Sequence, residues 1–200
     1  MKILIIGGKG TIGRTVAEHF KKENEVIVAG RSSGDVLVDI ADEKSIREMF
    51  GKTGKFDAIV CIAGEAKWDK FTNLSENDYF IGIKSKLMGQ VNLTRIGVNY
   101  LNPKGSITLT TGILADDPVV QTTSAAMVNG GLHSFVKALA LELDHGIRVN
   151  VVSSGLVEDA YEKYQNYFPG HNPIQMTKVV NGYVRSVMGQ GNGEVIRIYN

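Results

Sequence analysis

The stretch Lys2-Ile3-Leu4-Ile5-Ile6-Gly7-Gly8-Lys9-Gly10-Thr11-Ile12-Gly13 decides the fold. The unbroken apolar run Ile3 to Ile6 reads as a strand covered on both faces, since a half-solvated strand alternates apolar with polar. A glycine turn follows at once, Ile12 to Lys22 has helical length and spacing, and a second apolar run stands at Val26 to Ala29. In such a strand-helix-strand unit Gly7 and Gly10 let the backbone approach a pyrophosphate closely. Gly13 lets the helix pack tightly on the strand, and unpaired N–H groups at the helix N-terminus meet the anion. A plain βα turn would use the same glycines, but the flanking elements favour dinucleotide binding, with Gly7, Gly10, Thr11, Ile12 and Gly13 as contacts.

The same alternation continues outward. Val36 to Val38, Ala58 to Ile62, Ile107 to Thr110, Val149 to Val152 and Val195 to Ile198 read as further strands. Glu43 to Phe50, Glu76 to Tyr100 and Ser124 to Leu143 read as helices, the last with an apolar stripe of Leu132, Phe135, Val136, Leu139, Ala140 and Leu143. This order predicts an α/β doubly wound Rossmann fold: a mostly parallel seven-stranded sheet with helices on both faces, in one domain over residues 1–200. Tyr161 to Thr177, with Pro169-Gly170, Asn172-Pro173 and several aromatics, is the most loop-like stretch and reads as a lid on the substrate side.

Composition narrows the function classes. With 22 basic and 21 acidic residues the formal charge is +1, which gives no electrostatic footprint for nucleic acid or an anionic membrane. The single cysteine, Cys61, lies in an apolar run and reads as a structural thiol in a reducing compartment. The N-terminal apolar run is too short for a signal segment or a membrane span, so the expected location is the cytoplasm. The histidines and the cysteine show no zinc spacing, and no metal is expected.

The second strand ends Val28-Ala29-Gly30-Arg31-Ser32-Ser33. An acid near there would hold the ribose 2′-hydroxyl of NAD, and none is present. Arg31 instead offers planar donors for a 2′-phosphate, Ser32 and Ser33 add hydroxyls, and Lys9 adds a second cation, which points to NADP(H). Taken singly, Arg31 and Lys9 would read as ordinary solvated charges. Asp39 can accept from the adenine amino group, or equally cap the next helix.

These features, with several farther along, resemble the short-chain dehydrogenase/reductase family over nearly the whole chain. Cys61-Ile62-Ala63-Gly64 stands where that family usually has Asn-Asn-Ala-Gly, and the last two residues match. Lys137-Ala138-Leu139-Ala140-Leu141-Glu142-Leu143, then Gly146-Ile147-Arg148-Val149-Asn150-Val151-Val152-Ser153-Ser154-Gly155, is similar to the family's passage from its active-site helix into the sixth strand. Gly193-Glu194-Val195-Ile196-Arg197-Ile198 resembles its final strand. The resemblance implies cofactor contacts at Ala63 and Gly64, and at Ser154, Gly155 and Val157, where the family's Pro-Gly pair borders the nicotinamide. It also implies association through the two long helices into a homodimer or homotetramer.

The departures fall on the proton chemistry. Counted back from the Ala-Leu-Ala-Leu-Glu-Leu segment, the family's Tyr-x-x-x-Lys pair falls on Ala125 and Asn129. Its serine falls near Thr110 or Thr111, with Thr111 preferred, and its helix asparagine on Lys86, with Lys84 as the alternative register. A tyrosine protonates a developing alkoxide and a neighbouring ammonium lowers its pKa; alanine does neither. Thr111, Lys86 and Asn129 are therefore the catalytic candidates, Lys86 as a compensating cation. His133, one helical turn beyond Asn129, is a possible replacement acid but more often such a histidine is structural. Tyr161, Tyr164 and Tyr167 read as pocket walls. Two functions stand: an NADP(H)-dependent reductase or dehydrogenase of a small carbonyl or alcohol, or a non-catalytic NADP(H)-binding sensor or partner-binding module. An adenosylmethionine-dependent methyltransferase shares the first turn but leaves Arg31 and the distal segments unexplained.

Overall fold

The computed structural model describes residues 1–199. Its strands are β1 Lys2–Ile6, β2 Glu25–Gly30, β3 Val36–Leu37, β4 Phe56–Cys61, β5 Leu101–Gly112, β6 Arg148–Ser154 and β7 Val195–Ile198. They form one seven-stranded sheet in the order β3-β2-β1-β4-β5-β6-β7. Every neighbouring pair is parallel, so the sheet is wholly, not mostly, parallel. Even β3 runs parallel to β2, because Asp35 folds the loop 31–35 back: its N–H donates to Val28 O at 2.7 Å and its carboxylate accepts the Val28 N–H at 2.8 Å.

The helices are α1 Thr11–Phe20, α2 Glu43–Thr53, α3 Glu76–Gly82, α4 Gly89–Gly97, α5 Thr123–Leu139, α6 Tyr161–Tyr164 and α7 Met176–Met188. They cover both faces. Leu4 and Ile6 of β1 pack with Phe50, Leu93, Leu132 and Val136 on one side, while Ile3 and Ile5 pack with Val16, Phe20, Val179 and Tyr183 on the other. That division explains the non-alternating run in β1: each of its side chains has a helix layer to meet, and each full burial contributes about 1.5–3 kcal/mol. Among the described residues no helix is long and apolar enough to cross a membrane.

Three elements differ from the sequence expectation. The stretch 76–100 is not one helix: a π-helical turn, Ile83–Met88, separates α3 from α4, and a 3-10 turn follows at Val98–Tyr100. The helix expected to reach Leu143 ends at Leu139. The stretch Tyr161 to Thr177 is not plain loop, since it holds α6 and the start of α7, a helix the sequence reading did not name. Its buried face is Val179, Val180, Tyr183 and Val187.

Candidate functional site

The glycine turn sits where β1 and β4 lie side by side, the point at which strand order reverses and where open α/β sheets hold their ligands. Gly7 has φ +81°, a conformation that favours glycine, and its N–H donates to Ala29 O at 2.8 Å, tying the turn to β2. A Cβ on Gly13 would stand 2.1 Å from Gly7 O, so α1 starts in direct contact with the turn. No side chain caps α1 and no acid lies in its first turn, which leaves that N-terminus suited to an external anion.

Two cavities open from this turn, and Gly64 lines both. The smaller, about 220 Å3, is bounded by Gly7, Gly30, Arg31, Asp39, Glu65 and Ser85 among others. Arg31 Nη1 donates to Glu65 Oε1 at 3.3 Å, an exposed pair across the cavity. The Asp39 carboxylate accepts the Ala41 N–H at 3.0 Å, while Asp42 caps α2 by accepting the Lys44 N–H at 2.9 Å. The capping alternative for Asp39 therefore falls to Asp42.

The larger cavity, about 490 Å3, runs from Gly10, Thr11, Ile12 and Gly13 past Lys86 and Gly112 to Ser154, Gly155 and Val157. Lys86 reaches it from the π-helical turn. Gly64, at φ +119°, makes that possible, because a Cβ there would stand 2.7 Å from Lys86 Cα. Lys84 instead lies exposed with Nζ 5.7 Å from the Phe80 ring, which separates the two registers considered for the family's asparagine. Burial pulls the Lys86 ammonium below its ordinary value, and no carboxylate pairs with it among the described residues. Burial also pushes the Cys61 thiol up to about 12, so it stays neutral beside Lys86.

Behind the cavity, β5 and α5 are joined by a polar chain. Thr111 Oγ1 lies 2.8 Å from His133 Nε2, and His133 Nδ1 lies 4.0 Å from Asp116 Oδ2. Arg197 donates to both Asp116 oxygens at 2.9 and 3.1 Å, Tyr199 OH donates to the same carboxylate, and Ser153 Oγ lies 2.8 Å from Tyr199 OH. The Arg197 hydrogen bonds hold Asp116 down at about 2. Burial holds His133 below its ordinary value despite the attraction of Asp116. Thr111 is thus turned into the protein, and Gly112 is the residue that lines the cavity at this strand end. Asn129 is 3% exposed, and its Oδ1 has no partner among the described residues. Ala125 packs with Ile113, Leu114, Leu156 and Phe168.

A family model described as "Enoyl-(Acyl carrier protein) reductase" matches residues 14–179. The chain belongs to the short-chain dehydrogenase/reductase family. This family member is 26% identical over 180 residues to the 3-oxoacyl-[acyl-carrier-protein] reductase of Thermotoga maritima, covering 78% of this chain and 73% of the relative. It is 46% identical to a protein of Listeria innocua of solved crystal structure, with TM-score 0.98 and full coverage of both chains. A crystal structure described as a small-chain dehydrogenase in complex with NADPH superposes with TM-score 0.88 at 29% identity, covering 99% of this chain and 96% of that one.

In this short-chain dehydrogenase/reductase the residues named from sequence divide. Gly7, Gly10, Thr11, Ile12, Gly13, Arg31, Asp39, Ala63, Gly64, Lys86, Ser154, Gly155 and Val157 line the two cavities. Lys9, Ser32 and Ser33 are exposed outside both walls, and Thr111 and Asn129 are buried behind them. The sequence reading missed Glu65, whose approach to Arg31 joins residues on different strand ends. It also missed Trp68 and Phe168 in the larger cavity, for which no motif gives a signal.

Proposed function

We propose that this chain is an NADP(H)-dependent reductase or dehydrogenase of a small carbonyl or alcohol, with a rearranged proton-donating group. The observation that carries the reading is the pair of cavities sharing Gly64, one ending at Arg31 and the other passing Lys86. The NADPH-bound neighbour supports the choice of cofactor.

The residues present fit that cofactor. The uncapped start of α1 would take the pyrophosphate and Arg31 the 2′-phosphate, releasing Glu65. Asp39 would face the adenine, and Ala63 and Gly64 the adenosine ribose. Ser154, Gly155 and Val157 would border the nicotinamide. When bound, the cofactor supplies a hydride. The carbonyl carbon gains it, the carbonyl oxygen gains a proton, and an alcohol leaves. Lys86 is the charged side chain lining the larger cavity, and its lowered pKa makes its ammonium a readier donor, resupplied by water. Asn129 and Thr111, the other two candidates, lie behind the wall and touch neither cavity, so the proton chemistry of this reading rests on Lys86.

One observation favours the second reading, a non-catalytic NADP(H)-binding sensor or partner-binding module. Ala125, at the position matched to the family's tyrosine, is packed among apolar side chains. Titration calorimetry separates the outcomes. NADPH is expected to bind about tenfold or more tighter than NADH, and uptake of neither removes both readings. NADPH that binds but is never oxidised against a broad carbonyl panel selects the second. Cytoplasmic location and self-association remain part of the proposal. Association is supported by Phe80, Ile81, Met88 and Met127, apolar and exposed on and between α3, α4 and α5. Sedimentation that finds monomer alone removes it.

A further inference from the structure

Apart from the glycine turn and the strand ends, the larger cavity is walled by apolar and aromatic side chains: Trp68, Ile113, Leu114, Leu156, Tyr164 and Phe168. Ile113, Leu114, Leu156 and Phe168 are almost fully buried in one cluster, so this wall is set by the fold. Trp68 is held in place by rings, with centroids 5.7 Å from Tyr164, 5.8 Å from Tyr167 and 6.3 Å from Phe168. Among the described residues Lys86 is the sole charged one on the lining. An anionic carbonyl compound would bring two oxygen-bearing groups to one ammonium. Whichever group lost that contest would be left against apolar carbon, at a steep desolvation cost. Flat aromatic faces in turn favour a flat ligand, through offset or edge-on ring contacts beyond simple burial.

We propose that the substrate is an uncharged aromatic carbonyl compound, its ring against Trp68 and its oxygen toward Lys86. The inference rests on the reductase reading above. The reaction balances as a two-electron reduction. Hydride from NADPH forms the new C–H bond at the carbonyl carbon, and the C=O π pair moves to oxygen. That oxygen takes a proton from the Lys86 ammonium, and water restores it. NADPH becomes NADP+ and the aromatic ketone or aldehyde becomes an alcohol.

The chain has one tryptophan, so its emission reports on this wall alone. The full chain, saturated with NADP+ so that nothing turns over, is titrated with 2-acetonaphthone, 2-octanone and acetoacetate. Trp68 emission and calorimetry are read together. The expected result is quenching by 2-acetonaphthone and binding about tenfold tighter than either other compound. Trp68→Ala is expected to weaken that binding about three- to tenfold, and Trp68→Phe to restore most of it. If Trp68→Ala does not fold, Tyr164→Leu is read by calorimetry in the same way. Equal or tighter binding of 2-octanone or acetoacetate overturns the proposal, as does an unchanged affinity in the folded Trp68→Ala or Tyr164→Leu variant. Calorimetry with NADPH is run first. No uptake there overturns the reductase reading itself, whereas uptake without ring preference overturns the substrate class alone.

Discussion

Lys86 and Arg31 are both cations without a structural duty, and that makes their loss informative. Lys86 is half-buried with no carboxylate partner among the described residues, so the fold carries its desolvation cost. Lys86→Met is therefore expected to melt no lower than the parent in calorimetric scans, while turnover falls about 100-fold or more. Unchanged turnover would remove Lys86 from the chemistry. Arg31 pairs only with exposed Glu65, a contact of roughly 0–1 kcal/mol, so Arg31→Ala leaves stability alone. Its NADPH affinity is expected to fall about tenfold to a hundredfold with NADH affinity nearly constant, as charge-assisted bonds of about 1.5–3 kcal/mol are lost. Equal losses for both nucleotides would contradict the assignment of Arg31 to the 2′-phosphate. Both residues were legible in the sequence because each follows a recognisable segment. Thr111 shows the limit: counting places it near the strand end, but the pleat of β5 sends its hydroxyl to His133 and leaves Gly112 on the cavity.

Helix α4 and strand β5 are joined by a device that no periodicity reveals. The last registered pair between β4 and β5 is Val60 with Thr108, so β5 runs on beyond its neighbour. There Gln90 replaces the missing strand: its Nε2 donates to Thr110 O and its Oε1 accepts the Thr110 N–H, both at 2.9 Å. Gln90→Leu would strand two buried backbone groups and is expected to cost about 2–4 kcal/mol in urea denaturation. A loss well below that would mean the strand end relaxes to water. The π-helical turn also lies against a tertiary contact, since Lys86 packs on Gly64. Gly64→Ala adds a Cβ 2.7 Å from Lys86 Cα at a left-handed φ, so about 2 kcal/mol of destabilisation is expected, together with lower turnover as Lys86 shifts. Stability and activity both unchanged would show that the turn does not depend on this contact. The strands were readable because burial on both faces writes a continuous apolar run. Helix α7 was missed although Met176, Val179, Val180, Tyr183 and Val187 keep a helical spacing with Lys178, Asn181 and Arg185 on the exposed face, because the stretch read as a lid ran into its first turn. The π-helical turn leaves no mark in the apolar spacing of 76–100.

For the whole molecule, the polar chain from Thr111 to Ser153 links α5, β5, β6 and β7 and makes the fold acid-sensitive. The folded pKa of His133 lies below its ordinary 6.5, so the unfolded chain takes the proton first. Stability from that group is complete above about 6.5 and declines as pH falls toward the folded value. Asp116 adds a second decline, present above its ordinary 3.8 and lost as pH falls toward about 2. Melting temperature is expected to be flat above neutrality and to fall in two stages on acidification, with His133→Gln removing the first stage. A melting temperature that rises on acidification would refute the account. The overall architecture was legible from the alternation of runs, whereas these cross-strand ties join residues far apart in sequence. Strand order carries one more consequence. β1 ends up between β2 and β4, yet β4 begins only at Phe56. While the chain is being made, the ribosome releases an interior strand long before its second partner exists. The nascent chain then shows a bare strand edge, its backbone N–H and C=O groups unpaired beside the apolar side chains Ile3 to Ile6, open to pairing with any other strand it meets.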